Sequence, residues 1–307
     1  MKIAIIGTGG VGGYFGGKIA RAGYNVTFFA RGEHLKAIQR NGLMIKSIHG
    51  DFKVDTVKAT DKIQNIGKAD LIILCVKAWQ VKDIAKELIG IMDSTSVILP
   101  LQNGVLAVDE LKEIINSENI IGGLCKLITK IESPGVINHI GVNPLMVFGE
   151  LDNQLSERIV KIKELFDTSE IHSKISNDIQ ADLWKKFIAI CIGGLLAVTR
   201  SSYGEVRELK ETRQLMIDLL QEIYLLSQKI GIKIEADTVD KTVAFVDTCP
   251  YETTASLTRD VWEGKPSEIE YQNGTVVKLG NKYGVPTPVN TFVYNCILPM
   301  EKRAGNK

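Results

Sequence analysis

Lys2-Ile3-Ala4-Ile5-Ile6-Gly7-Thr8-Gly9-Gly10-Val11-Gly12 is the stretch whose reading decides the fold. The short apolar run to Ile6 predicts a strand. Gly7-x-Gly9-x-x-Gly12 predicts a tight turn opening a helix. Each glycine has its own duty in such a turn. Gly7 permits the sharp bend, Gly9 lets backbone N–H groups approach a pyrophosphate, and Gly12 lets helix and strand pack closely. The positive end of the helix then faces the phosphates. A glycine triplet alone is a weak signal, but this one follows a strand and precedes a second, Asn25-Val26-Thr27-Phe28-Phe29, in the order of a dinucleotide-binding unit. Gly7, Thr8, Gly9, Gly10, Val11 and Gly12 are therefore candidate cofactor-binding residues.

The end of the second strand distinguishes two cofactors. An acidic residue about 20 positions after the glycines accepts hydrogen bonds from the ribose 2′-hydroxyl of NAD. Here the strand ends Phe28-Phe29-Ala30-Arg31, with no carboxylate before Glu33. A guanidinium at Arg31 can pair with a 2′-phosphate in bidentate geometry, against the alternative of an ordinary solvated arginine. The expected cofactor is NADP(H).

At 307 residues the chain is long enough for two domains. A hydrophobic fraction of 45% and a charged fraction of 24% describe an ordinary globular protein. A net charge of +1 gives no reason to expect nucleic acid or an anionic membrane as partner. No apolar run approaches the 18 or so residues of a membrane span, and the opening strand leaves no room for a signal peptide. The five cysteines are dispersed without a CxxC pair, which argues against a disulfide framework or zinc site. A reduced, cytoplasmic protein without metal is expected.

The first half alternates strand and helix patterns. Ala69 to Val76 is nearly continuously apolar, as in a parallel strand buried on both faces. Ser96-Val97-Ile98-Leu99-Pro100 is another such run, with helical spacing over 79–91 between them. This alternation predicts an α/β, doubly wound parallel sheet. Residues 42–58 read as irregular strand pairs, 120–149 as a strand-rich meander, 154–166 as a helix and 170–172 as a short strand. Helical patterns follow at 178–199, 206–230, 236–248, 252–262 and 268–284. The expected domains are a nucleotide-binding α/β domain over 1–169 and an all-helical domain over 170–307.

Ligands in such sheets bind beyond the carboxyl ends of the strands, where two residues stand out. Lys77 follows Val76, and a lysine there can meet a phosphate or a carboxylate. Asn103 follows Pro100-Leu101-Gln102 and offers donor and acceptor beside a nicotinamide, although Asn-Gly is also ordinary turn chemistry. In Asp182-Leu183-Trp184-Lys185-Lys186-Phe187-Ile188 two lysines lie on an otherwise apolar helix. They point roughly 100° apart, so one can face a polar site while the other is solvated. A partly desolvated lysine suits a general acid. Lys265-Pro266-Ser267-Glu268 reads as the opening of a helix, with Glu268 in a first turn where carboxylates also serve as caps. Ser256 lies one turn before Asp260, and either can be structural.

With these residues in hand the chain resembles the ketopantoate reductases, the NADPH-dependent 2-dehydropantoate 2-reductases of pantothenate synthesis. The resemblance runs nearly end to end. It rests on Gly7-Thr8-Gly9-Gly10-Val11-Gly12, Arg31, Val76-Lys77-Ala78-Trp79-Gln80, Gln102-Asn103-Gly104, Leu183-Trp184-Lys185-Lys186 and Pro266-Ser267-Glu268-Ile269-Glu270-Tyr271-Gln272-Asn273-Gly274. It implies a Rossmann domain followed by a helical domain. It puts the catalytic lysine at Lys186, the glutamate that meets substrate and cofactor at Glu268, and the nicotinamide-side asparagine at Asn103. The serine for the substrate carboxylate falls at Ser256, and Lys77 lies near cofactor and substrate. A homodimer is implied as well. One departure stands out: the family pattern has asparagines one and two helical turns after its lysine, and here those positions are Ile190 and Gly194. An apolar residue cannot replace an amide that bonds a substrate hydroxyl. Either other groups bind that hydroxyl or the substrate is another small 2-keto acid.

The expected activity is hydride transfer from NADPH to the keto carbon of ketopantoate. Lys186 would polarise the carbonyl and supply the proton, Glu268 would position Lys186 or a substrate hydroxyl, and Asn103 and Ser256 would hold substrate. The alternatives are a paralogous reductase of another small 2-keto acid, another two-domain dehydrogenase, and a non-enzymatic NADP sensor that would need Arg31 and the glycine loop only.

Overall fold

The computed structural model describes residues 1–305. These form two compact units, one of Met1–Gln102 with Leu106–Ile179, the other of Asn103–Val105 with the residues from Gln180 onward. The expected division near residue 170 is therefore corrected to residue 180.

The first unit runs β1 (Lys2–Ile6), α1 (Gly10–Arg21), β2 (Asn25–Phe29), α2 (Gly32–Asn41), β3 (Leu43–Ser47), β4 (Phe52–Val54), β5 (Lys58–Thr60), β6 (Leu71–Leu74), α3 (Val81–Leu88), β7 (Val97–Pro100), α4 (Ala107–Lys112), β8 (Gly122–Ser133), β9 (Val136–Gly149), α5 (Glu157–Thr168) and β10 (Ser173–Ile175). Five strands make a parallel sheet in the order β5-β2-β1-β6-β7. Its inner strands are buried on both faces, which is why they read as continuous apolar runs. Ile3, Ile5, Leu71, Ile73 and Leu99 enter one core, and Ala4, Ile6, Ile72, Leu74 and Ile98 the other, the period of two that a pleated strand imposes. The strand order reverses between β1 and β6, the switch point at which this doubly wound Rossmann arrangement receives its ligands.

A second sheet, β10-β9-β3-β4 with β8 on β9, covers the other side of α1. Added Cβ atoms at Gly12 and Gly16 would meet Ile5 and Phe28 of the parallel sheet, and at Gly13 and Gly17 would meet Ile137 and Ile45 of the second. The glycine-rich helix thus packs tightly against sheets on both sides. The 42–58 region resolves into the antiparallel pair β3–β4, with β5 joining the parallel sheet. The meander is a single long hairpin, β8–β9. The strand expected at 170–172 lies three residues later, at β10, pairing with β9 in the first unit.

The second unit is helical: α6 (Ile179–Ile190), α7 (Ile192–Thr199), α8 (Tyr203–Glu208), α9 (Lys210–Ile230), α10 (Thr238–Thr248), α11 (Ser256–Trp262), α12 (Asn273–Tyr283) and α13 (Pro288–Gly305). The helix expected over 178–199 breaks at Cys191, whose carbonyl accepts a hydrogen bond from Asn273 Nδ2 at 3.1 Å. The pattern over 206–230 divides at the extended residue Leu209. The pattern over 252–262 begins only at Ser256, and α13 was not foreseen at all. No helix among the described residues is long and apolar enough to cross a membrane.

Candidate active site

At the switch point the chain leaves β1 through Gly7, whose φ of +100° and 2.8 Å separation between an added Cβ and the Cys75–Val76 backbone admit no other residue. The end of β1 is thereby pressed against the end of β6. Gly12 sits equally close, its added Cβ falling 2.1 Å from the Gly7 carbonyl oxygen. Gly9 is different, for nothing lies within 4 Å of an added Cβ. The space above Gly9 is open to a ligand that approaches the backbone. The first turn of α1 has no side-chain cap and no acidic residue, so its positive end is left for an external anion. This cradle fits a pyrophosphate.

Two of the loop candidates also hold the loop in place. The buried Thr8 hydroxyl donates to the Phe29 carbonyl at 2.9 Å, and its N–H to the same oxygen at 3.1 Å. Its side chain thus ties the loop to β2 and leaves only backbone for a ligand. Val11 packs on the core of the first unit. Gly10 lies under Thr129 of β8, whose Oγ1 is 2.5 Å from an added Cβ, a neighbour that sequence spacing gave no reason to expect.

Arg31 is exposed just past β2, its guanidinium 5.0 Å from the centre of the Phe29 ring. That contact orients the side chain at the position where a 2′-phosphate is expected. Lys77 is exposed just past β6, its ammonium 5.7 Å from the Trp79 ring centre and its N–H donating to Gln80 Oε1 at 3.2 Å. Gln102 was not singled out as a candidate, yet it braces this region. Its Nε2 donates to the carbonyls of Leu74 and Val76 at 2.9 and 3.1 Å.

The second unit gathers the remaining candidates. Asn103 Nδ2 donates to Glu268 Oε2 at 3.2 Å, across 165 residues of sequence. Gly104, with φ of +96°, passes so near Tyr271 that an added Cβ would be 2.6 Å from its carbonyl oxygen. Glu268 is only 7% exposed. It does not occupy the first turn of a helix, as expected. It lies in a tight turn five residues before α12, closed by Tyr271 N–H to the Glu268 carbonyl at 3.0 Å. Its carboxylate is therefore not spent on capping.

Of the two lysines on α6, Lys185 pairs with Glu235 at 2.8 Å. The Lys185 ammonium holds that carboxyl below its ordinary range. Lys186, half-buried, is on a different face. Ser256 is exposed at the start of α11, which is held close to α7 by Thr258 Oγ1 donating to the Gly193 carbonyl at 2.8 Å. Ile190 is half-buried one turn beyond Lys186. Gly194 is buried, and a Cβ there would lie 2.3 Å from Asn273 Oδ1, an atom with no hydrogen-bond partner. Burial pushes the Cys191 thiol well up, so it packs as a neutral side chain.

The family described as Ketopantoate reductase PanE/ApbA matches residues 3–153, and its C-terminal counterpart matches residues 178–301. The chain belongs to the ketopantoate reductase family. It is an oxidoreductase of that family. A 2-dehydropantoate 2-reductase of Pyrococcus abyssi is 29% identical over 311 residues, covering 100% of each chain. A PanE/ApbA family ketopantoate reductase of Ralstonia eutropha JMP134 superposes with a TM-score of 0.91 at 28% identity, covering 99% of this chain and 100% of that one. A D-mandelate dehydrogenase solved with NADH and anilino(oxo)acetate superposes with a TM-score of 0.90 at 22% identity, covering 99% of this chain and 100% of that one. That last likeness is one of fold, and a fold does not choose a substrate.

Proposed function

We propose that this ketopantoate reductase family member reduces a small 2-keto acid with NADPH, with ketopantoate, giving pantoate for pantothenate and coenzyme A synthesis, as the leading substrate. The observation that carries the reading is the buried Glu268 carboxylate held by the Asn103 amide, on the unit that also carries Lys186. NADPH, when bound, supplies the hydride. The open backbone at Gly9 and the uncapped start of α1 receive its pyrophosphate, and Arg31 its 2′-phosphate. Lys186 polarises the keto oxygen and gives its proton to the developing alkoxide. Glu268 orients Lys186 or a substrate hydroxyl. Asn103 bonds substrate or nicotinamide, Lys77 attracts the anionic groups, and Ser256 accommodates the carboxylate. We place the reaction in the cytoplasm and expect a homodimer.

A second reading, reduction of another small 2-keto acid, is favoured by one observation. Ile190 and Gly194 present no amide to a substrate hydroxyl. NADPH oxidation with ketopantoate beside 2-ketoisovalerate, which lacks the terminal hydroxyl, decides between the two. Strong preference for ketopantoate supports the first; equal rates, or none with ketopantoate, favour the second. The cofactor assignment has its own test. Arg31→Ala should raise the KM for NADPH by about tenfold, a loss of about 1.4 kcal/mol, and leave that for NADH nearly unchanged. An equal effect on both cofactors would remove Arg31 from the 2′-phosphate site.

A further inference from the structure

The turn that carries Glu268 has little regular structure of its own, yet its backbone is fixed. Ser267 N–H lies 3.1 and 3.2 Å from the two carboxylate oxygens of Glu301, and the Ser267 hydroxyl donates to the same carboxylate. The hydroxyl oxygen in turn accepts from Ile269 N–H at 3.3 Å. Glu301 thus grips the residue on one side of Glu268, and through the hydroxyl it reaches the residue on the other. Seven positions earlier on α13, Tyr294 donates its hydroxyl to Glu270, and burial with that carboxylate beside it pushes the phenol up to about 12. Two helical turns separate 294 from 301, so both lie on one face of α13. The helix is itself anchored at its start, where Glu222 of α9 accepts from the N–H groups of Val289 at 2.7 Å and Asn290 at 3.0 Å.

We infer that Glu301 is a positioning residue of the reductase site: through Ser267 it holds the Glu268 carboxylate where it meets the Asn103 amide. This deepens the functional reading above and rests on it for the role of Glu268. Glu301 need touch neither substrate nor cofactor. Its carboxylate accepts two donors of one residue, a grip that fixes the position of the next side chain along the chain. Misplacing a reacting group by about an ångström costs up to a hundredfold in rate, so the grip has kinetic consequences although it lies outside the chemistry.

The test uses the full chain and the variants Glu301→Ala, Glu301→Gln, Glu268→Gln and the double variant Glu301→Ala/Glu268→Gln. With whichever of ketopantoate and 2-ketoisovalerate is turned over, Glu301→Ala should lower kcat/KM for the keto acid by about tenfold or more. The KM for NADPH should change far less than the kcat/KM for the keto acid. Glu301→Gln retains one acceptor oxygen and should recover most of the loss. In the Glu268→Gln background Glu301→Ala should add nothing, because the group it positions is already gone. Losses that multiply in the double variant, or a Glu301→Ala enzyme with native kcat/KM, would overturn the inference. The side-chain amide resonance of Asn103 gives a readout that needs no substrate. It should move in Glu301→Ala in the direction it moves in Glu268→Gln, and an unmoved resonance overturns the inference whatever the kinetics. Harmless Glu268→Gln would refute the functional reading of Glu268 instead, while the resonance still reports on the positioning. If Glu301→Ala does not fold, Glu301→Gln carries the same measurements, with a smaller shift expected in the same direction.

Discussion

The glycine loop of the first unit and the Glu268 turn of the second are built by opposite means. Around Gly7 and Gly12 backbone touches backbone, and the site exists because side-chain atoms are missing. Around Glu268 the neighbouring Ser267 is held by Glu301, and the Glu268 carboxylate is met by the Asn103 amide, two partners distant in sequence, so the site exists because particular atoms are present. The first kind of construction fails when an atom is added and the second when one is removed. The difference also explains why one was plain in the sequence and the other was not.

The largest effect should come from removing the one group assigned to proton delivery. Lys186→Ala should lower kcat by about 10² to 10⁴ with NADPH affinity little changed; turnover close to native would take Lys186 out of the mechanism. Next comes the addition of a single methyl group. Gly12→Ala drives a carbon onto the Gly7 carbonyl oxygen and should cost about 3 kcal/mol or more, visible as a lower melting temperature and loss of NADPH binding together. Glu222→Ala removes an atom set in turn. It strands the N–H groups of Val289 and Asn290 and one donor of the Asn290 amide, which bonds Glu222 at 2.7 Å. About 2 kcal/mol of stability should go with it, and a melting curve equal to native would show that α13 does not depend on this cap. The smallest structural effect belongs to Gly9→Ala, whose added carbon meets nothing and whose φ of −80° suits alanine. Its melting temperature without cofactor should match native while NADPH affinity falls by about tenfold, or about 1.4 kcal/mol. If affinity is kept, the open space above Gly9 is not where the pyrophosphate lies.

Much of the first unit was legible because its signals are local. A strand buried on both faces must be apolar at its buried positions, and β6, β7 and β1 from Ile3 onward are. A crossing of backbones must be glycine, and Gly7 and Gly12 are. The second unit yielded helices but misplaced their ends. Cys191 breaks its helix because Asn273, 82 residues away, takes its carbonyl, and no window around residue 191 contains that information. The missed helix, α13, carries Pro299 in its interior and borrows its N-terminal cap from Glu222, 67 residues earlier. The resemblance points to Glu268, yet the sequence suggests a helix first turn there and the structure has a tight turn before α12. First-turn capping is the usual reason for a glutamate after Pro-Ser, and here the Ser267 donors go to Glu301 instead. Of the lysine pair, spacing alone could not choose, and the choice of Lys186 came from the resemblance. The ion pair of Lys185 with Glu235 now accounts for the other member.

The packing at Gly194 constrains what this position can become. The volume that a side chain at 194 would fill is already taken by the amide of Asn273, which also holds the Cys191 carbonyl and donates to Asn290. An asparagine introduced at 194 by one mutation would collide with that amide and with Val293, whose Cγ1 lies 2.7 Å from an added Cβ, so both neighbours must give way first. A directed-evolution search that randomises 194 alone should therefore recover glycine.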